Sequence, residues 1–176
     1  MKRKALLICL LAAMTFPIQA KVNYQPSISV EAGGTFTYKF NDMLRSSISV
    51  AYEFDPIAIQ IDRRHTISMP VYASYVSRTP AFDGYCLNSH MDYGFGLSYR
   101  YTVNDVLSIR AKADVNMQHV LEVEGVMYSC GFTVEPWLSM NSKIAFNFPM
   151  RLGIAKGAVS FAPSVGLVLT PFGVKP

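Results

Sequence analysis

After residue 20 the chain has no apolar run of membrane-helix length, no basic patch, and only two cysteines, Cys86 and Cys130. A helix that crosses a bilayer needs about 20 apolar residues, so a helical span is excluded from the body of the sequence. Yet the mean hydropathy of the chain is +0.22. A chain this apolar without a spanning helix must cover its apolar surface by another route, and a closed barrel is one. The formal net charge of +4 includes Lys2, Arg3 and Lys4. Without those three it falls to +1, and nothing remains that would argue for a nucleic-acid partner.

Those three basic residues open a segment with the layout of a secretory signal peptide. Ala5 to Phe16 is its apolar centre, and Ile18-Gln19-Ala20 forms a cleavage site. Residues 1–20 are therefore expected to be removed after Ala20. Residues 21–176 are then expected to form one domain, long enough for a single fold. An anchoring helix is the competing reading, but the run stops early at Pro17 and Gln19. Cys9 would leave with the leader, so Cys86 and Cys130 would reach an oxidising compartment.

What fills the rest is a two-residue beat. Ile67, Met69, Val71, Ala73 and Tyr75 alternate with Thr66, Ser68, Pro70, Tyr72 and Ser74. Successive side chains of a strand point to opposite faces, so this beat means two-faced β-strands. The bulky face is apolar and the other carries Ser, Thr, Gly and charges of both signs. That is the inverse of a soluble barrel and matches lipid outside and a polar lumen. The pattern predicts an all-β, antiparallel, up-and-down transmembrane β-barrel of about eight strands. Turns are expected at Asn41-Asp42-Met43, Asp62 to His65, Val103-Asn104-Asp105, near Gly125, at Asn141-Ser142 and at Gly157, with a long connection over Thr79 to Ser89. At Asp55-Pro56 the phase slips, and Ile57, Ile59 and Ile61 take over the apolar face. A β-bulge explains the slip, and a tight turn is the alternative. Pro70, Pro136, Pro149 and Pro163 interrupt strand patterns. Trp137 falls on the lumenal phase, unless a slip beside Pro136 turns it toward an interfacial girdle.

The inward phase carries Glu31, Lys39, Glu53, Asp92, Arg100, Arg110, Lys112, Asp114, Glu135, Lys143 and Arg151. Acids and bases nearly cancel. An eight-stranded interior is only just wide enough for its side chains, and an unpaired buried charge is costly. A charge-paired plug is favoured over a charged conduit. Phe36, Tyr38, Phe40, Tyr52, Phe54, Tyr99 and Tyr101 are expected near strand ends, as aromatic girdles.

The signal segment, the length, the eight alternating strands and Gly-aromatic runs such as Tyr93-Gly94-Phe95-Gly96-Leu97-Ser98-Tyr99 resemble small outer-membrane barrels of the OmpX, OmpW and OmpA-membrane-domain type. Ser164, Gly166 and Leu169 fit that family's assembly signal in part, whereas Pro171-Phe172-Gly173-Val174-Lys175-Pro176 lacks the usual terminal aromatic. The resemblance implies the outer membrane of a diderm bacterium, with lipid and the barrel-insertion machinery as partners. Some barrels of this size are lipid-modifying enzymes, but their His-x-Ser spacing is missing after His65, His90 and His119. Ser89-His90-Met91-Asp92 holds the residue types of a triad, yet adjacent strand residues face opposite ways. His65 sits in a turn at the opposite end from His90 and His119, which disfavours a three-His metal site. Each histidine reads as a solvated rim residue. No cofactor, metal or catalytic residue is expected. The leading function is a non-enzymatic barrel, structural or binding an extracellular ligand through the Thr79 to Ser89 loop. A small channel for hydrophobic compounds, as in OmpW, is the runner-up, and a soluble periplasmic lipid-binding barrel is third. Cys86 and Cys130 are expected to stay unpaired, because two strands separate their elements.

Overall fold

A computed structural model describes residues 23–39, 43–77, 89–120, 126–155 and 157–171. The leader, the Asn41-Asp42 turn, the turn near Gly125 and all but Ser89 of the Thr79 to Ser89 loop lie outside these residues. The strands are β1 (Ser27–Lys39), β2 (Met43–Gln60), β3 (His65–Val76), β4 (His90–Thr102), β5 (Leu107–Val120) and β6 (Val126–Ser139). They are followed by β7, in two pieces (Ile144–Asn147 and Met150–Ala155), and β8 (Ala158–Leu169). Each strand pairs antiparallel with its successor, and β8 closes on β1. The result is the closed eight-stranded barrel that the alternation predicts. A short segment, Asn23–Tyr24, adds to the sheet by pairing with Gln60 and Ile59.

The two faces divide as the two-residue period requires. Ile48, Tyr52, Phe95, Leu97, Phe132 and Leu152 project outward and are exposed, while Arg110, Glu135, Asn116 and Asn147 are fully buried inside. A continuous apolar band of this kind has no place on a soluble monomer. Among the described residues no helix is long and apolar enough to cross a membrane.

The phase slip in β2 is a bulge. Phe54 pairs with Val71 but Ile57 pairs with Met69, so Asp55 and Pro56 together oppose Pro70. Neither proline needs to donate to the ladder there. The strand continues to Gln60, which removes the tight-turn alternative. It also moves Tyr52 and Phe54 to the middle of a long strand, away from the girdle position expected for them. Tyr99 and Tyr101 do lie near a strand end, paired with Ile67 and His65. Pro149 splits β7, but the Phe148 N–H donates to Pro136 O at 3.0 Å and the Ser164 N–H to Pro149 O at 2.9 Å, which carries the sheet across the gap.

Three short turns share one end of the barrel with both ends of the described chain, and all three use one device. Asp62 accepts from the N–H groups of Arg64 and His65, Asn104 from Val106 and Leu107, and Asn141 from Lys143 and Ile144, all at 2.7–2.9 Å. Asp and Asn side chains stabilise such turns by bonding backbone two or three residues ahead. The Arg64 N–H, with help from that of His65, holds the Asp62 carboxyl below its ordinary range. This turn end contrasts with the loop end, where the connections include residues 78–88. There Gly157, at φ 74°, makes the last reversal in a backbone region that favours glycine.

Candidate functional site

The lumen is filled from the turn end upward. Gln25 and Gln60 bond to each other at 2.8 Å. Arg100 donates to Gln25 Oε1 at 3.0 Å and to Thr66 Oγ1 at 3.5 Å, and its guanidinium lies 4.8 Å from the centre of the Trp137 ring. Trp137 is 4% exposed and packs with Ala145 and Val168 as an apolar pad inside the barrel. Its Nε1 donates to Glu135 Oε1 at 2.7 Å. No slip beside Pro136 occurs: Ser108 pairs with Trp137, Ile109 with Pro136 and Arg110 with Glu135 in unbroken register. Trp137 is therefore a lumenal residue and takes no part in a girdle.

The next level is a charge cluster centred on Arg110, which is 2% exposed. Its Nη1 reaches Glu53 Oε1 at 2.5 Å and Glu135 Oε2 at 3.4 Å. Nη2 reaches Asp55 at 3.1 Å, and Nε donates to Ser98 Oγ at 3.0 Å. Lys112 takes the second oxygen of Glu53. Asn147 Nδ2 donates to both Glu135, at 2.5 Å, and Glu31, at 2.9 Å. Buried charges are tolerated only when paired and hydrogen-bonded, and Arg110, Lys112, Glu53, Asp55 and Glu135 meet that requirement with Ser98 and Asn147, drawing on five strands.

Above it, Arg151 pairs with Asp114 at 2.7 Å, and the Tyr72 hydroxyl donates to Asp114 at 3.2 Å. The pair runs directly over Gly131, where an added Cβ would collide with both side chains. Lys112 Nζ lies 5.3 Å from the centre of the Tyr72 ring.

The alternation located most of these groups. Glu31, Glu53, Asp92, Arg110, Lys112, Asp114, Glu135 and Arg151 are on the inward side of the barrel. Arg100 is too, and it donates to the neutral side chains of Gln25 and Thr66 and lies against the Trp137 ring. Lys143 does not line the lumen. It is an exposed turn residue, because β7 begins one position later at Ile144. The side chain of Lys39 lies outside the described set. Asp55 was missed: the bulge inserts it on the inward side next to Glu53, where a strict two-residue count loses track. Val168 and Ala145 were missed as well, because an apolar residue on a polar face gives no signal of its own.

Over the cluster a cavity of about 400 Å³ opens toward the loop end. Glu31, Glu53 and Lys112 are at its floor. Small residues of β8, β1 and β2, among them Ser164, Ala162, Gly33 and Ala51, form one wall, and Tyr72, Asp92 and Arg151 stand on others. His90 joins this chamber instead of being a solvated rim residue; its Nε2 is 3.7 Å from Asp92 and its side chain is 15% exposed. His119 is exposed on the outer face. His65 lies at the turn end, with Nδ1 2.5 Å from the Tyr99 hydroxyl. Among the described residues no group of His, Cys, Asp or Glu is arranged to hold a metal ion.

No protein-family model matches the chain, and no curated protein matches it. Solved structures share its fold. It is similar to Neisserial surface protein A (NspA), with a TM-score of 0.61 and 10% identity over 82% of this chain and 96% of that one. It is also similar to Ail, the attachment invasion locus protein of Yersinia pestis, with a TM-score of 0.58 and 8% identity over 84% of this chain and 98% of that one. The same protein solved with the heparin analogue sucrose octasulfate gives a TM-score of 0.58 at 6% identity, over 84% and 98% of the two chains. The fold is that of a small outer-membrane β-barrel. At these identities the likeness extends to the fold alone.

Proposed function

We propose that this chain is a non-enzymatic outer-membrane barrel, closed to through-flow, that meets a ligand or partner at its loop end. The closed lumen carries the reading. Arg110, Glu53, Asp55, Glu135 and Lys112 fill the barrel at mid-height, and Trp137, Ala145 and Val168 fill it below. Short turns on the periplasmic side and longer loops outside are the rule for such barrels. The Asx-turn end then faces the periplasm, and the chamber and the Thr79 to Ser89 loop face outward. The leader of residues 1–20 supplies the export route, and the barrel-insertion machinery would place the mature chain, starting at Lys21.

A channel for hydrophobic compounds is the second reading. The open chamber favours it, and the filled section beneath speaks against a path through the barrel. A soluble periplasmic lipid carrier would need its apolar face inward, and the exposed Phe95, Leu97 and Phe132 speak against that.

Two measurements test the proposal. The mature protein should start at Lys21, fractionate with outer membranes and resist carbonate extraction. In planar bilayers it should show little conductance. Recovery from the soluble periplasm would overturn the membrane reading, and large steady conductance would replace the closed barrel with the channel.

A further inference from the structure

Among the described residues, two carboxylates in the chamber, Glu31 and Asp92, form no ion pair with a lysine or an arginine. Glu31 is 8% exposed and Asp92 is 7% exposed. Glu31 accepts from Asn147 at 2.9 Å, Ser29 at 3.3 Å and Ser164 at 3.4 Å, all neutral donors. Among the described residues it forms no ion pair, since Lys112 is engaged by Glu53 and Arg151 by Asp114. Asp92 Oδ1 is buried and accepts no hydrogen bond, with His90 Nε2 3.7 Å away, while Ser74 and Gln118 hydrogen-bond the same carboxyl group. An uncompensated buried carboxylate is costly, and these two border about 400 Å³ of open space.

The upper part of the same chamber mixes apolar side chains with His90, Gln118 and Ser129, which pair across the sheet with Val76, Met127 and Ala155. Val76 ends β3, Met127 lies near the start of β6, and Ala155 and Ala158 flank the β7–β8 reversal. All four line the cavity. The chamber thus presents a collar of apolar side chains set among a few neutral polar ones at its mouth and acid below, a make-up suited to a small-molecule site: apolar contact with a few placed polar groups. It is blind, because the Arg110 cluster closes its floor.

We propose that the chamber is a binding site for a small organic amine with an apolar body. The ammonium group pairs with Glu31 at the floor, and the Asp92 carboxylate adds a second negative group on the wall. The apolar body sits within the collar of Val76, Met127, Ala155 and Ala158. An anion is disfavoured by the two acids, and a neutral molecule of the same shape gains the collar but not the charge. The inference deepens the proposed function by naming the chemistry that the loop end would admit.

The test uses the full mature barrel in zwitterionic detergent with benzylamine as the probe and calorimetry or NMR titration as the readout. Benzylamine should bind saturably at one site, and benzyl alcohol and benzoate at least tenfold more weakly. Glu31→Gln should weaken benzylamine at least tenfold and leave benzyl alcohol unchanged. Asp92→Asn should weaken it by a smaller factor. If Glu31→Gln fails to fold, Ala158→Phe narrows the collar without touching the charge cluster and should abolish binding in a barrel of wild-type stability. Equal binding of benzylamine and benzyl alcohol, or an unaltered affinity in a folded Glu31→Gln or Ala158→Phe barrel, would overturn the site. Bilayer insertion and low conductance are measured separately, so loss of the amine site leaves the closed-barrel reading standing.

Discussion

Arg110 and Glu53 are 57 positions apart in the chain and 2.5 Å apart in the lumen. They stand on β5 and β2, which do not pair with each other, so the contact spans the barrel interior. Arg110→Ala should lower stability by about 3–5 kcal/mol, the usual cost of removing one member of a buried pair, less whatever lumenal water recovers. The variant should also raise conductance in planar bilayers. Adding Glu53→Gln should restore part of the stability, because the carboxylate left behind causes much of the loss. A melting temperature unmoved by Arg110→Ala would show that the cluster does not hold the barrel together.

Trp137 is the only tryptophan of the chain and sits inside the barrel. Its fluorescence should therefore escape quenching by brominated acyl chains, which reach outward-facing groups only. Trp137→Ala should cost about 3–5 kcal/mol through the cavity it leaves. Strong quenching by brominated lipid would place the ring on the outer face and contradict the register of β5 with β6.

The same two residues show what the sequence made legible. The period of two assigned Arg110 and Trp137 to the inner face, because lipid and lumen impose opposite demands on alternate positions. It could not say which partners they find. Those partners come from strands distant in sequence, and their meeting depends on closure and stagger, which no local pattern encodes. Asp55 shows the second limit. A bulge resets the count, so the residue at the reset falls between two phases although its neighbours are read correctly. Lys143 shows the third. At a strand end one residue of boundary error moves a charge from the interior to a solvated turn.

The Asp62 turn has a pH signature. Its carboxyl is held below the ordinary range by the Arg64 N–H. A lowered folded-state pKa adds stability that is present above the unfolded value and lost as pH falls through the folded one. Asp62→Asn should keep the turn, since Asn104 and Asn141 make the same bonds in the sister turns. It should also flatten a small part of the acid-side decline in melting temperature. An identical acid profile in wild type and variant would remove this contribution.

Cys130 is exposed on the outward phase of β6, with Ile154 O 3.9 Å from its sulfur. Cys86 belongs to the loop outside the described residues. The mature protein should alkylate at both positions without prior reduction, read as two added groups by intact mass. A mass that rises only after reduction would show a disulfide.

Among the described residues the lumen holds Glu31, Glu53, Asp55, Asp92, Asp114 and Glu135 against Arg100, Arg110, Lys112 and Arg151. The acids outnumber the bases by two, and the surplus lies in the chamber, with Glu31 and Asp92. Any leak created by loosening the cluster would thus pass through a negatively biased passage. Its reversal potential in a salt gradient should lie on the potassium side of zero. The wall that closes this barrel would, once breached, act as a cation filter.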